Sequence, residues 1–333
     1  MLSKKAVAQM GIGMGSYYLL KKKIPLVVSY LTTYRCNQSC KYCNSQQMCE
    51  DELNTSNAIA LIEDMKKSGV LKLGFAGGES LCRDDIADLI CCAHDIGLIT
   101  SISSNGRNII RYIDVIKKNI DIVQLSLDGR EETHDFVRGS GSYRVVMEAL
   151  KALHENGVKT ITNTVITRDN YKDIPFIIEL ARKYKTKALF QPVFDYALSQ
   201  EASVINGYKT NAGELYNSVR YLLKEKRNGA PIGNSIEYLK YIYSNRDKNS
   251  YSKCFAGKLF CAVDPAGYVI PCCFKMKNDY KNNAIKNGFM SAFQHCTDNE
   301  NSKCNGCFCN AYVEANLTFK LYMGACMNAI KLS

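Results

Sequence analysis

One theme recurs along residues 25–195: a short apolar run rich in β-branched residues, a polar turn, then a stretch with apolar residues at helical spacing. The runs fall at 25–32, 71–76, 99–103, 122–127, 160–166 and 188–193, with amphipathic stretches at 56–68, 84–96, 143–156 and 173–185 among those between them. Strands that alternate with helices join as parallel βαβ units through right-handed crossovers. Six units are too few to close an eight-stranded barrel, so the expected fold is α/β, an open (β/α)6 partial TIM barrel. Such a barrel does its chemistry at the C-terminal ends of its strands. Polar clusters fall at those ends: Cys36, Cys40 and Cys43 after the first run, Gly77, Gly78 and Glu79 after the second, Ser104 and Asn105 after the third, and Ser126 and Asp128 at the fourth. Asn163 and Gln191 lie within the fifth and sixth, as inward-facing polar candidates or as buried amides satisfied by backbone.

The rhythm stops at Asp195. Helical segments follow at 212–225 and 236–245, and then a second cysteine-rich region from Cys254 to Cys326. The chain therefore divides into an N-terminal amphipathic segment (1–24), the barrel (25–195), a helical linker region (196–250) and a cysteine-rich extension (251–333). Sixteen cysteines stand against four histidines. Lys4 and Lys5 precede an apolar stretch, but Gly11, Gly13 and Gly15 interrupt it and Lys21, Lys22 and Lys23 close it, so it reads neither as a signal peptide nor as a bilayer span. The expectation is a cytoplasmic protein, where clustered thiols bind metal more often than each other. The formal charge of +11 would suit an anionic partner, but thiolates on iron would offset part of it.

Tyr34-Arg35-Cys36-Asn37-Gln38-Ser39-Cys40-Lys41-Tyr42-Cys43 has the spacing C-x3-C-x2-C. Three thiolates on a short loop can grip three corners of an iron–sulfur cubane. A fourth iron left without a protein ligand is an open, catalytic position. The competing reading is a zinc site, which also takes thiolates but normally finds four ligands in spaced pairs. Only Cys49 stands near enough to be a fourth.

With Tyr42 before the last cysteine and the loop following the first strand, the motif resembles the signature of the radical S-adenosylmethionine (SAM) superfamily. The resemblance implies a 4Fe-4S cluster whose open iron chelates SAM, and an electron that splits the sulfonium into methionine and a 5′-deoxyadenosyl radical. Gly77-Gly78-Glu79 is similar to the family's GGE motif, which receives the SAM ammonium. Ser104-Asn105-Gly106 and Ser126-Leu127-Asp128-Gly129 resemble its S-N-G and S-x-D-G strand ends, placed for ribose and carboxylate. His134-Asp135-Phe136-Val137-Arg138-Gly139 resembles the run that follows, in which Arg138 would partner the SAM carboxylate bidentately. Tyr42, Gly77, Gly78, Glu79, Ser104, Asn105, Ser126, Asp128, Arg138 and Gln191 are thus the expected SAM-binding set. His134 reads as a local hydrogen-bonding residue.

In the extension, two short β runs flank Asp264-Pro265-Ala266-Gly267, the turn chemistry of a hairpin, with Cys254 and Cys272 at its feet. Cys304-Asn305-Gly306-Cys307 is a C-x2-C pair that clamps a metal centre, zinc ribbon or iron–sulfur cluster alike. Read from Cys254 through Gly267 to Cys272, the pattern resembles the SPASM or twitch extension of radical SAM enzymes. The full SPASM pattern needs further cysteines beyond the C-x2-C pair, and Val313 stands at the first of those positions. The shorter twitch form then implies one auxiliary 4Fe-4S cluster on Cys254, Cys272, Cys304 and Cys307, with Cys261, Cys273, Cys296, Cys309 and Cys326 as other candidates.

The first functional reading is an enzyme, a radical SAM oxidoreductase or maturase. The resemblance implies a peptide or protein substrate, with a small molecule (a sugar or an isoprenoid lipid) as alternative. It also implies an electron donor such as flavodoxin or ferredoxin. The segment opening at Lys4 would suit a membrane-surface contact or would pack as a helix on the open side of the barrel. The second reading, a structural metal-binding module or nucleic-acid binder, leaves the strand-end motifs without a role, and no aromatic-basic stripe favours nucleic acid.

Overall fold

The structure is a computed structural model that describes residues 4–48, 51–194, 202–245, 254–273, 282–296 and 307–332. Six parallel strands form in chain order: β1 (Val27–Thr33), β2 (Lys72–Gly77), β3 (Ile99–Ser104), β4 (Ile122–Ser126), β5 (Thr160–Ile166) and β6 (Lys187–Pro192). The sheet runs β6-β5-β4-β3-β2-β1 and continues into β7 (Phe260–Val263) and β8 (Val269–Ile270). Among the described residues β6 and β8 do not pair, so the barrel is open.

Helix α1 (Lys4–Leu20) precedes the barrel, and α2 (Thr55–Lys67), α3 (Ile86–Asp95), α4 (Ile113–Asn119), α5 (Glu131–Arg138), α6 (Ser142–Glu155) and α7 (Ile174–Lys183) make its crossovers. Beyond it come α8 (Ala202–Tyr208), α9 (Ala212–Arg227), α10 (Ile236–Ser244), α11 (Ala284–Asn287), α12 (Phe289–His295), α13 (Asn310–Phe319) and α14 (Met323–Leu332). Local chemistry sets several ends. The Asn54 side chain accepts from the Asn57 N–H at the start of α2, and Asn211 with Glu214 forms a capping box at α9. Two apolar layers hold the sheet: one joins Tyr30, Phe75 and Leu125 to α2, α3, α6 and α12, the other joins Phe190 and Phe260 to α7, α9, α10 and α13.

In the extension, the turn chemistry of Asp264-Pro265-Ala266-Gly267 predicts a hairpin. β7 and β8 do form one, with Ala262 opposite Ile270 and Val263 opposite Val269. Gly267 takes φ +86° in the turn, a region that favours glycine. Yet β7 also pairs in parallel with β1, Val27 to Phe260 through Tyr30 to Val263. The sheet thereby runs without a break from the barrel into the cysteine-rich extension.

Candidate active site

The first cysteine loop leaves the C-terminal end of β1 and is fixed by backbone before any ligand is considered. The Cys43 N–H donates to the Cys40 carbonyl at 2.9 Å, and the Lys41 N–H to the Val137 carbonyl at 2.9 Å. Gln46 Nε2 donates to the Cys36 carbonyl at 2.6 Å. Arg35 is held by Glu52 at 3.0 Å. Cys36, Cys40 and Cys43 are half-buried and close enough that charge on Cys40 or Cys43 disfavours the Cys36 thiolate, and charge on Cys43 that of Cys40. Burial pushes the Cys36 thiol up to about 12, and Cys40 is raised for the same reason. A metal that binds here must therefore displace protons. Among the described residues no three Cys, His, Asp or Glu close tightly enough round one point to clasp a single ion. A cubane takes one thiolate on each of three irons, and a loop that offers three thiols supplies that donor set.

Gly77 and Gly78 are needed where the chain's own backbone closes on them. A Cβ at Gly77, where φ is +126°, would come within 2.2 Å of the Thr33 carbonyl, and one at Gly78 within 2.4 Å of the Arg35 carbonyl. It is the chain's own backbone, at the root of the cysteine loop, that approaches. Hydrogen bonds from the Gly78 N–H to the Thr33 carbonyl (2.8 Å) and from the Glu79 N–H to the Arg35 carbonyl (2.9 Å) secure it.

Glu79 is almost wholly buried, at 1% exposure. Its carboxylate accepts from the Asn105 N–H at 2.7 Å, the Ser104 hydroxyl at 3.2 Å and the Leu81 N–H at 3.3 Å. These bonds tie the end of β2 to that of β3, and burial still lifts the carboxyl to about 7. Asn105 donates to Asn37 Oδ1 at 2.8 Å and faces Cys36 Sγ at 3.9 Å, so it reaches the cysteine loop directly.

Asp128, Arg138 and Tyr42 form a closed triangle. Arg138 Nε donates to Asp128 Oδ2 at 2.6 Å, Arg138 Nη2 to the Tyr42 oxygen at 2.6 Å, and the Tyr42 hydroxyl to Asp128 Oδ2 at 2.8 Å. Asp128 Oδ1 accepts from the Val165 N–H at 2.9 Å. The remaining face of the guanidinium meets Cys40 Sγ at 3.8 Å. The resemblance gives Arg138 and Asp128 separate contacts with SAM; in the structure they pair with each other and anchor Tyr42, inside the cysteine motif. His134 accepts from the Asp128 N–H through Nδ1 at 3.1 Å, and burial together with Arg138 lowers it to about 4, so the imidazole is neutral.

Ser126 stands half-buried at the end of β4, in register with Asn163. Gln191 and Asn163, both half-buried, share a partner: Gln191 Oε1 accepts from the Asn310 N–H at 3.0 Å, and Asn163 Oδ1 from Asn310 Nδ2 at 2.5 Å. Asn310 begins α13, immediately after Cys307 and Cys309, so these two strand amides hold the second cysteine region against the barrel. Nothing in the sequence pairs Asn310 with them; only the fold does.

Cys254, Cys272, Cys273, Cys307 and Cys309 pack into one apolar corner with Phe255, Phe308 and Tyr312. Burial raises the Cys307 thiol, and neighbouring Cys309, Cys254 and Cys272 raise it further. Asn316 Nδ2 donates to Cys254 Sγ at 3.3 Å. Mutually repelling thiolates in an apolar corner need a cation to coexist, and this donor set suits an iron–sulfur cluster. Cys304, expected as a fourth ligand, lies outside the described residues. Cys261 and Cys296 are buried together elsewhere, and Cys326 donates to the Thr318 carbonyl.

Residues 30–181 match the sequence family described as the Radical SAM superfamily. The Fe-coproporphyrin III synthase of Methanosarcina barkeri is 35% identical over 171 residues, 50% of this chain and 43% of that protein, so the chain spans under half of that relative's length. The PqqA peptide cyclase of Bradyrhizobium diazoefficiens is 29% identical over 262 residues, 75% of this chain and 67% of that one. Streptococcus suis SuiB, solved with its precursor peptide SuiA, superposes with a TM-score of 0.65 at 17% identity, over 88% of this chain and 69% of that chain. The likeness to SuiB concerns the fold.

Proposed function

We propose that this chain is a radical SAM enzyme, on the match of residues 30–181 to that superfamily, and that it cleaves SAM reductively at a 4Fe-4S cluster on Cys36, Cys40 and Cys43 to modify a peptide. Bound there, cluster and SAM together would supply methionine and a 5′-deoxyadenosyl radical that takes hydrogen from the substrate. The observation that carries the reading is the meeting of four strand ends on one cysteine loop, through Gly78, Glu79, Asn105 and the Asp128–Arg138–Tyr42 triangle. Tyr42 and Arg138 hold the loop, Arg138 presents a donor to Cys40, Asn105 braces Cys36, and Glu79 keeps a carboxylate in a dry pocket beside them. An auxiliary cluster on Cys254, Cys272 and Cys307, with Cys304 as fourth ligand, accounts for the second thiol corner.

The peptide reading rests on relatives whose names state peptide substrates, including the PqqA peptide cyclase. A small-molecule substrate is the second reading, favoured by the higher identity to a synthase of an iron porphyrin. Anaerobically reconstituted protein is expected to contain iron and sulfide for two four-iron clusters, falling to one with Cys254→Ala plus Cys272→Ala. With SAM and dithionite it should release 5′-deoxyadenosine. The low-molecular-mass fraction of its source cells should stimulate that release, and protease treatment of the fraction should remove the stimulation. Stimulation that survives protease would select the small-molecule reading, and no deoxyadenosine under any condition would overturn both.

Glu79 offers a separate test. Its raised carboxyl holds a proton in the ligand-free fold, so its contribution to stability is present below the ordinary carboxylate range and fades as pH rises through about 7. An ammonium ligand needs the ionised form. SAM affinity is therefore expected to weaken as pH falls from 8 to 6, by up to about tenfold per unit below 7. Glu79→Gln should flatten this dependence and weaken binding by roughly one to two decades, as loss of a charge-assisted bond of about 1.5–3 kcal/mol would. A parent protein with pH-independent affinity would remove Glu79 from the SAM site.

A further inference from the structure

Helix α1 packs one face against the barrel and leaves another bare. Met14 is buried beside Leu26, and Tyr17 meets Phe255 edge-on. Ile12, Leu19 and Leu20 remain 69%, 83% and 74% exposed. At the other end of the chain, Leu321, Tyr322, Met323 and Met327 are between 50% and 77% exposed, at the start of α14 and the turn before it. The Tyr18 hydroxyl donates to the Phe319 carbonyl at 2.6 Å, which brings the two bare segments side by side although 301 residues separate them. Thirteen large apolar residues are exposed in the described chain, and nine of them lie on α1, α14 or that turn, so this is a patch and not scatter.

The two bare segments themselves carry charge of one sign, and Glu237 is the acid that lies against them, at Gly324. Residues 4–24 hold Lys4, Lys5, Lys21, Lys22 and Lys23, and residues 315–333 hold Lys320 and Lys331; neither stretch contains an Asp or Glu. On its far side α14 borders a cleft of about 720 Å³ in which Arg182, Lys185, Lys187, Lys226 and Lys331 outnumber the one acid, Glu237. Among the described residues no helix is long and apolar enough to cross a membrane.

We propose that this patch seats the protein on an anionic lipid bilayer: Leu19, Leu20, Leu321 and Met323 enter the acyl boundary, and Lys21, Lys22 and the basic cleft meet the phosphate headgroups. Apolar residues at two helix ends, flanked by an excess of lysines, are what interfacial binding requires. A second copy of the chain would bring lysine against lysine, which the charge disfavours.

The test is sedimentation of the full-length reconstituted protein with vesicles of phosphatidylcholine plus phosphatidylglycerol, against phosphatidylcholine alone. The protein should pellet with the anionic vesicles and remain in solution with the neutral ones, and added salt should release it. Lys21→Gln with Lys22→Gln should lower the partition roughly twenty-five-fold, from about fivefold per lysine. Leu19→Ser, Leu20→Ser and Met323→Ser together should abolish it with the visible cluster absorbance unchanged. If that triple variant does not fold, the lysine pair and the salt titration decide. No pelleting with anionic vesicles overturns the proposal, as does a lysine-pair variant that binds like the parent. A stable dimer in light scattering that the triple variant dissolves would give the patch to a second copy instead.

Discussion

Replacing Cys36, Cys40 and Cys43 together with Ala is expected to reduce 5′-deoxyadenosine formation from SAM and dithionite to background. Each thiol supplies one iron ligand from a loop whose backbone is already fixed, so the triple change removes every protein bond to that cluster. It removes little else. The loop's anchors are the Lys41 N–H to Val137, Gln46 to the Cys36 carbonyl and the Tyr42 triangle, none of which uses a thiol. The variant should therefore fold, keep its far-ultraviolet circular dichroism and retain iron in the second thiol corner, about half of the parent's content. Deoxyadenosine that persists in this variant would sink the proposed mechanism. Loss of iron from both sites would show that the two cysteine regions do not load separately.

The largest effect on stability is expected at Asp128. Its carboxylate is fully buried, with Arg138 at 2.6 Å and 7% exposed. Charges desolvated to this extent depend on each other: breaking a buried pair by removing one partner typically costs about 3–5 kcal/mol, because the other is left uncompensated. Asp128→Leu should cost about that much, read as a lowered urea midpoint in the cluster-free protein so that metal loss does not enter. It also releases Tyr42 and the Val165 N–H. Asp128→Leu combined with Arg138→Leu should be more stable than Asp128→Leu alone, since the stranded guanidinium is gone. If the two losses simply add, the pair is not a coupled unit and Arg138 draws its stabilisation from other neighbours.

Much of this was legible from the residues. The alternation of apolar runs and amphipathic stretches placed all six barrel strands to within about two residues, because buried parallel strands bounded by polar turns announce themselves. Short α4 and α5 did not, since Ile113–Asn119 and Glu131–Arg138 offer too few turns for a periodic signal. The convergence of Glu79, Asn105 and Asp128 on one loop was foreseeable from their places at strand ends, and Arg138 reaches it from the end of α5. Their partners were not. That Arg138 faces Asp128 and Cys40, or that Gln191 holds Asn310, depends on side chains 10 to 119 residues apart meeting in three dimensions. The parallel docking of β7 on β1 was equally hidden: Phe260–Val263 reads as one arm of a hairpin, and its outer pairing leaves no local mark.

That docking bears on how the protein avoids self-association. β1 carries the cysteine loop at its end and holds β2 on one side, so without β7 its other side would be an open edge of unpaired N–H and C=O groups along Val27, Val28, Ser29 and Tyr30. Such an apolar edge is a template for strand addition by another chain. The extension covers it with Phe260, Cys261, Ala262 and Val263, and then turns the exposed side over to β8, two residues long and antiparallel. A strand that short offers an incoming chain almost nothing to pair with. The cysteine-rich extension is thus also a guard: it ends the sheet where the most aggregation-prone strand would otherwise lie bare, beside the loop that must stay in place for chemistry.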